Sequence, residues 1–294
     1  MCNGHKVLLT DIRQGRILVV ELDQKDPLAQ PLWEWYPTEE QGWKTTRDSL
    51  KETLSEVKVR WSAHHNTRVV LFCSSRGNVG MIAYPSGKCL WEDTVGVSPH
   101  GIELLPNGDI VVAASGGGIE EKGRVHYLTR TEDGSYTQAW EFALKGGHGV
   151  VWDPKEQILW ASGTYDVVAL TLAGEQIEGK GATIPCGYGH DLMPDLRDPD
   201  MLWVSPSPVV YQFSKTKNEI LEEYPNSDVL HPLLRAKGIS SFPDGVVVWV
   251  AYGHHTASEH PDHFSAFWPG KGVITYREEN AGFNKARVFL DQYQ

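Results

Sequence analysis

The sequence has no long apolar run and no excess of basic charge. None of its stretches approaches the roughly 18 consecutive apolar residues that a membrane-spanning helix needs. The formal net charge is −11, which disfavours nucleic acids and anionic membranes as partners because both are polyanions. We therefore expect neither a nucleic-acid nor a membrane partner, although a local basic pocket is compatible with this charge.

Cysteine is also scarce. No two of the residues Cys2, Cys73, Cys89 and Cys186 form a C-x-x-C pair, which disfavours a structural zinc site. Cys73 lies in the apolar run "VVLFCSS" and is predicted to be a buried thiol. The first residues, "MCNGHKVLLTD", show no apolar core of a signal peptide. Together these features favour a cytoplasmic location.

One apolar strand recurs along the chain. It reads "KVLLTD" at Lys6, "RVVLFCSS" at Arg68, "DIVVAAS" at Asp109, "ILWASG" at Ile158, "MLWVS" at Met201 and "VVWVAYG" at Val247. This strand is the second of each unit. A short strand precedes it in every unit but the first, and two further short strands follow it, with Gly, Asn, Asp and Pro at the turns. Units of four short strands are typical of the blades of a β-propeller.

These repeats predict an all-β, six-bladed propeller that forms one domain over residues 1–294, with seven blades as the alternative. The first unit lacks a leading strand, and "KARVFLD" at residues 285–291 has no unit of its own. We expect this C-terminal strand to complete the N-terminal blade and so close the ring. Residues 38–56 form a polar insertion between blades 1 and 2, with a short helix predicted at "RDSLKETL".

Histidines recur at one position of the repeat. Ten residues before the aligned apolar residue of a second strand lie His100, His148 and Lys237, and in a fourth unit either Asp191 or His190, depending on the turn. The unit at Arg68 gives Arg60 or Val59. In a propeller this position begins the innermost strand, so these side chains are predicted to meet at one mouth of the central channel.

The loops between second and third strands open on the same face. They add the polar side chains Arg13, Arg76, Tyr165, His254, His255, His260 and His263.

Two kinds of site fit this composition. In one, His100, His148 and His190 bind a divalent metal (Mn, Fe, Zn or Ni), because neutral imidazole suits these ions and three ligands leave a position open. In the other, His, Lys and Arg form a metal-free cationic pocket that holds a carboxylate or sulfate through charge-assisted hydrogen bonds.

The chain resembles the six- and seven-bladed propellers that include gluconolactonase-like and lyase-like members. With histidines from successive blades on its axis, it is similar to the oligogalacturonate lyase group. That resemblance implies a metal that neutralises a uronate carboxylate, and it assigns the ligands to His100, His148 and His190.

The sequence therefore predicts a metal-dependent enzyme that acts on a sugar acid or a short acidic saccharide by elimination or isomerisation. The proposed proton-transfer residues are Lys237, Tyr165 and His254. The proposed substrate-binding residues are Arg13, Arg60, Arg76, His255 and Asp191. The alternatives are a non-catalytic propeller that binds carbohydrate or protein, and a structural scaffold with incidental histidines. The oligomeric state stays open.

Overall fold

Six four-stranded antiparallel sheets follow one another around a ring. The structure is a computed structural model that describes residues 4–252 and 260–291. The prediction of a six-bladed all-β propeller is confirmed, and the alternative of seven blades is wrong. Among the residues described, no helix is long and apolar enough to cross a membrane.

The first three blades take the following strands. Blade 1 contains β1 (Lys6–Asp11), β2 (Arg16–Glu21) and β3 (Trp33–Trp35), blade 2 contains β4 (Leu54–Ser62), β5 (Thr67–Ser74), β6 (Asn78–Ala83) and β7 (Cys89–Thr94), and blade 3 contains β8 (Pro99–Leu104), β9 (Ile110–Ala114), β10 (Arg124–Arg130) and β11 (Tyr136–Ala143). The first strand of blades 2 and 3 is the innermost, and the last is the outermost.

The remaining blades repeat this order. Blade 4 contains β12 (Gly149–Asp153), β13 (Ile158–Ser162), β14 (Asp166–Leu170) and β15 (Gln176–Thr183), blade 5 contains β16 (Gly189–Pro194), β17 (Met201–Pro206), β18 (Tyr211–Ser214) and β19 (Glu219–Leu221), and blade 6 contains β20 (Ala236–Ser241), β21 (Val247–Ala251), β22 (His263–Trp268) and β23 (Gly272–Arg277). The last strand, β24 (Phe283–Val288), belongs to blade 1.

The two ends of the chain meet in blade 1. β24 is its innermost strand and pairs antiparallel with β1, from Val7 opposite Val288 to Asp11 opposite Phe283. This is the predicted closure, with the strand beginning two residues earlier and ending three residues earlier than expected. Because β1 pairs with both β2 and β24, it has no unpaired edge.

Alternate residues of each second strand face opposite neighbours. In β13, Leu159 packs in a cluster with Val111 of blade 3, whereas the next residue, Trp160, packs with Leu202 of blade 5. Six such clusters each join two adjacent blades. Because both faces of a sheet are buried, these strands are continuous apolar runs instead of an apolar and polar alternation.

The insertion between blades 1 and 2 has a mostly polar sequence but also contributes an apolar side chain to the core. It forms a 3-10 helix (Glu39–Gln41) and a one-turn helix, α1 (Arg47–Leu50), and its final residues join β4. Trp43, which lies between the two helices, is buried against Trp35 and Phe72. A second 3-10 helix (Glu120–Lys122) and the one-turn helix α2 (Ser227–Leu230) complete the described helices.

The inner strands come very close to one another around the axis. A Cβ on Gly101 would lie 2.5 Å from the carbonyl oxygen of His148, and a Cβ on Gly149 would lie 2.4 Å from Cβ of Leu192. Only glycine leaves room for these contacts. The glycine that follows two of the histidines therefore permits the close approach of strands that brings the imidazoles together.

Candidate functional site

A cavity of about 340 Å³ lies at one end of the central channel. Its wall is formed by residues at the beginnings of the inner strands and by nearby loop and strand-end residues. The lining residues are Ile12, Glu52, Thr53, Leu54, Ser55, Ser75, His100, His148, His190, Ser207, Arg235, Lys237, Tyr252, His260, Asn284 and Lys285. Four of the residues that the repeat predicted to converge, His100, His148, His190 and Lys237, are thus on one cavity wall.

A β-bulge at the start of the inner strand presents these side chains. In β8 the pairing passes from Pro99 to Gly101 and leaves His100 without a partner, and in β20 it passes from Ala236 to Gly238 and leaves Lys237. β4, β16 and β24 have the same irregularity at Ser55, at the interval that holds His190, and at Asn284. Because a bulge redirects a side chain locally, five blades turn one residue into the cavity.

Blade 4 reaches the same result by a closely related geometry. The backbone N–H of His148 donates to the carbonyl oxygen of Ser162 at 2.8 Å, although Ser162 is already paired with Gly149. His148, just before β12, and Gly149, the first residue of β12, therefore both lie opposite Ser162 of β13. His148 takes the place that the bulged residue takes in the other blades.

The three histidine rings are in contact. The ring centroids of His100 and His148 are 4.4 Å apart and stacked, and those of His148 and His190 are 5.3 Å apart and edge-on. Nδ1–H of His148 donates to the carbonyl oxygen of Gly146 at 2.6 Å, which leaves Nε2 of the neutral ring as an acceptor.

Hydroxyl groups hold the other two rings. Nε2 of His100 is hydrogen-bonded to the Ser98 hydroxyl at 3.1 Å, and Nε2 of His190 to the Ser207 hydroxyl at 2.7 Å. Each of the three rings is therefore fixed through one of its nitrogens.

All three imidazoles are held neutral. Burial, together with the nearby Lys237 and Lys285 charges, lowers the pKa of His148 to about 4, although the hydrogen bond to Gly146 acts in the opposite direction. Burial is the largest cause that lowers the pKa of His100 and of His190 well below the usual value, and the neighbouring histidines and the same two lysines add to it. At neutral pH the positive charge of the cavity therefore comes from lysine and arginine, not from histidine.

Two lysines provide positive charge beside the histidines. Nζ of Lys237 lies 3.5 Å from Nδ1 and 3.4 Å from Nε2 of His190, and 5.5 Å from the ring centroid of Tyr252. Nζ of Lys285 donates to the carbonyl oxygens of Lys237 and His190, and to Oδ1 of Asp191 at 3.4 Å.

Buried ion pairs fill the channel beyond the cavity. Arg287 donates to Glu56 at 2.6 and 2.8 Å, and to both carboxylate oxygens of Asp191 at 2.6 Å. Burial alone would raise the pKa of Asp191, but the charges of Arg287 and Lys285 hold it well below its usual range.

A second group of buried ion pairs lies further along β4. Arg60 donates to Glu103 at 2.6 and 2.8 Å, and Nζ of Lys58 lies 3.2 Å from the same carboxylate. We call the six residues Glu56, Lys58, Arg60, Glu103, Asp191 and Arg287 the channel ion pairs. All six are buried. Their charged groups pair with one another below the cavity instead of facing a ligand.

The channel ion pairs include two of the predicted substrate-binding residues. Arg60 and Asp191 do not line the cavity. β4 continues past the cavity to Ser62, so counting ten residues back in blade 2 reaches the middle of the strand, and Ser55 is the residue that faces the cavity. In blade 5 the sequence left either His190 or Asp191 as the cavity residue. In the structure His190 faces the cavity and Asp191 faces Arg287.

The predicted loop residues are less central. Arg13, Arg76 and Tyr165 are exposed and are not among the lining residues, whereas His260 is. His254 and His255 lie outside the described residues. In the part of the chain that the structure describes, no three His, Cys, Asp or Glu side chains are arranged to hold a metal ion, so the metal stays a prediction.

Several lining residues were not predicted. Asn284 and Lys285 lie on the closing strand, and the repeat pattern would have led to Asn284 had its register been extended to that strand. Tyr252 follows β21, and its hydroxyl is hydrogen-bonded to Nδ1 of His260 at 2.7 Å and donates to Oδ1 of Asn284 at 3.2 Å. Ser207 and Arg235 lie in loops whose lengths differ between blades, so no repeat position marks them.

Solved structures share the fold of this chain at low sequence identity. A chain of a nidogen–laminin complex has a TM-score of 0.65 and 13% identity, over 98% of this chain and all of that one. A functionally unknown protein from Desulfotomaculum acetoxidans DSM 771 has a TM-score of 0.57 and 12% identity, over 98% of this chain and 86% of that one.

A third structure, hydrazine synthase of Kuenenia stuttgartiensis, has a TM-score of 0.54 and 11% identity, over 77% of this chain and 66% of that one. At such identities the likeness shows only the fold. The comparison with curated protein sequences finds no match. The model of a family of unknown function, DUF6528, matches residues 7–259, and the chain belongs to that family.

Proposed function

We propose that the cavity binds a small acidic carbohydrate, either a sugar acid or a short acidic saccharide. The observation that carries this proposal is the charge of the wall, where the ammonium groups of Lys237 and Lys285 stand beside three neutral imidazoles. Glu52 is the single carboxylate among the described lining residues. A carboxylate ligand would receive a charge-assisted hydrogen bond from Lys237, and the charge of Lys285, whose donors contact protein oxygens, would attract it.

The rest of the wall suits a ligand rich in hydroxyl groups. Hydroxyl and amide side chains surround the histidines, namely Thr53, Ser55, Ser75, Ser207, Tyr252 and Asn284. Such groups both donate and accept, as a sugar hydroxyl does. The volume of about 340 Å³ lies at the lower end of the range of about 300–1,000 Å³ for small-molecule sites, which favours one sugar unit within the cavity itself.

The same arrangement supports catalysis by β-elimination or isomerisation. Removing the proton α to a carboxylate shifts charge onto the carboxylate oxygens, and a preorganised ammonium group stabilises that charge. We assign this role to Lys285. Lys237 accepts the substrate proton after its ammonium group has released its own proton to solvent. The electron pair of the broken C–H bond then forms the carbon–carbon double bond. The β-oxygen leaves with the electron pair of its own broken bond and takes a proton from solvent. Without such turnover, the propeller is a binding protein for the same ligand.

A divalent metal is the second candidate, and the observation that favours it is the orientation of His148. Its Nδ1–H donates to a backbone carbonyl, which is the usual arrangement of a metal-binding imidazole, and its ring contacts the two other imidazoles. The donor type suits Mn, Fe, Zn or Ni, with His100, His148 and His190 as ligands. The charge does not suit a cation, because Lys237 lies within 3.5 Å of His190, so we derive no catalytic step through a metal.

Isothermal titration calorimetry with glucuronate and galacturonate, compared with glucose and galactose, tests the binding proposal. We expect the uronates alone to bind, and Lys237→Met to weaken them about tenfold or more, since a hydrogen bond to a charged group contributes about 1.5–3 kcal/mol. Lys271→Met, an exposed lysine of the outer β22–β23 turn, is the matched control and should bind as the unaltered protein does. Binding of neutral hexoses as tightly as uronates, or of no uronate, would overturn the proposal.

Two further measurements separate the variants of the proposal. Ultraviolet absorbance of an unsaturated uronate, formed from an acidic saccharide, distinguishes an enzyme from a binding protein. Metal analysis of protein purified without a histidine tag tests the second candidate, with a stoichiometric metal that is lost in His148→Ala as the supporting result.

A further inference from the structure

Two large residues occupy a strained position on the rim of the cavity. Tyr188 and Arg235 each lie two residues before a cavity side chain, His190 and Lys237 respectively, and both have a left-handed backbone, with φ of +56° and +53°. The corresponding residues before His100 and His148 are Ser98 and Gly146, with φ of +58° and +56°. The turn therefore requires a conformation that favours glycine, and two blades place a tyrosine and an arginine there.

The two residues are neighbours across adjacent blades. The backbone N–H of Ser207 donates to the carbonyl oxygen of Tyr188 at 3.1 Å, and the N–H of Arg235 donates to the carbonyl oxygen of Ser207 at 2.6 Å. The hydroxyl of this same Ser207 is hydrogen-bonded to His190. A single residue thus connects the rim pair to the histidines.

Stability does not account for the choice of these side chains. Tyr188 is 59% exposed, so it buries little of its ring. Over residues 4–252 and 260–291, neither its side chain nor that of Arg235 makes a hydrogen bond, an ion pair or a ring contact. Strained backbone at exposed, unpartnered side chains is more typical of a ligand contact than of a structural position.

A second tyrosine extends the rim. Tyr165 is 43% exposed, and a Cβ on Gly187, the residue before Tyr188, would lie 3.1 Å from its ring. The pKa of Tyr165 is raised, first by Glu120, and Tyr188 also contributes. Two exposed phenol rings therefore lie close together on the side of the cavity formed by blades 4 and 5.

We propose that Tyr188 and Arg235 form a rim subsite for a second sugar-acid unit, attached to the unit whose carboxylate lies in the cavity. A tyrosine ring offers a flat apolar surface for the C–H groups of a sugar ring, and a guanidinium receives a carboxylate through two parallel hydrogen bonds. This inference rests on the proposed function and deepens it. The preferred ligand is then an acidic saccharide of two or more units instead of a free sugar acid.

Calorimetry of the full chain with galacturonate, digalacturonate and trigalacturonate tests the subsite. We expect the dimer to bind at least tenfold tighter than the monomer. Tyr188→Asn removes the ring while its side chain tolerates the left-handed backbone, so the variant should fold, keep the monomer affinity and lose most of the tenfold preference. Arg235→Gln should lower the same ratio, and Tyr188→Phe, which keeps the ring, should preserve it.

Tyr36→Ala is the matched control. This tyrosine is exposed to a comparable degree (40%), but it follows the outer strand of blade 1, so the variant should leave the ratio unchanged. If the dimer and monomer bind equally, or if Tyr188→Asn keeps the full preference, the rim subsite is refuted while the cavity proposal stands. If no uronate binds at any length, the proposed function is refuted and the subsite with it.

Discussion

Replacing Arg287 with Met should lower the free energy of unfolding by more than the loss of an exposed ion pair does. Arg287 is buried and donates to both Glu56 and Asp191, which are buried too. The substitution leaves two carboxylates in the channel without their shared cation, and breaking a buried pair in this way typically costs about 3–5 kcal/mol. Urea-induced unfolding followed by tryptophan fluorescence measures the free energy of unfolding. A loss below about 1 kcal/mol would refute this account of the channel.

The pH dependence of the stability of Arg287→Met is a second test of the lost ion pairs. In the unaltered protein the pKa of Asp191 is lowered, so its contribution to stability is complete above the ordinary carboxyl pKa of about 4 and is lost only as the pH falls through the lower folded value. Without Arg287, burial raises that pKa instead. The variant should therefore recover stability as the pH falls from about 8 to 5, while the unaltered protein should not.

An exposed pair provides the matched control for the channel. Arg68 donates to Asp291 at 2.7 Å, a distance like those of Arg287, but its side chain is half exposed. Exposed ion pairs contribute about 0–1 kcal/mol. Arg68→Met should therefore change the free energy of unfolding by less than about 1 kcal/mol at every pH. An equal loss in Arg68→Met and Arg287→Met would show that burial does not cause the large loss expected for Arg287→Met.

Three further outcomes are expected. Uronate affinity should be nearly constant between about pH 6 and 8, because the three histidines stay neutral there, and calorimetry that showed a steep rise toward the lower value would contradict this. Gly149→Ala should cost more than about 2 kcal/mol in urea unfolding, since its Cβ would lie 2.4 Å from that of Leu192; an unchanged midpoint would show that the strands can separate. Removing residues 283–294 should abolish soluble folded protein, as judged by gel filtration and circular dichroism, because β1 would become an open edge; a soluble, folded monomer would contradict the role of the closure.

The architecture was predictable because each blade repeats the same physical requirement. A second strand buried on both faces must be apolar throughout, and turns between short antiparallel strands require Gly, Asn, Asp or Pro. The predicted helix at "RDSLKETL" shows where local pattern fails. Only Arg47–Leu50 is helical, since Glu52 is left-handed with φ of +60° and Leu54 already belongs to β4.

The cavity was only partly predictable. His100, His148 and Lys237 were found because the inner strands begin at a constant distance from the second strand in blades 3, 4 and 6. In blade 2 the longer β4–β5 hairpin breaks that spacing, so the count reached Arg60 in place of Ser55. Which charges pair with each other depends on contacts between distant strands, as with Arg287 and Glu56, and no local pattern records those contacts.

The two cavity lysines differ in their contact with the channel ion pairs, because Lys285 contacts Asp191. Lys285 and Arg287 are two residues apart on β24, so both point toward the axis, but at successive depths. Lys285 touches the cavity and also Asp191 of the channel ion pairs, whereas Lys237 contacts His190 at the cavity wall.

A comparison of the two methionine variants therefore separates the two roles. Lys237→Met should weaken uronate binding about tenfold or more and lower the urea midpoint less than Lys285→Met does, because the hydrogen bonds within the channel ion pairs remain. Lys285→Met should weaken binding and lower the midpoint together, because Asp191 loses one of its two cations. If Lys237→Met lowered the midpoint as much as Lys285→Met does, the boundary between a ligand-binding upper layer and a structural lower layer would lie elsewhere in the channel.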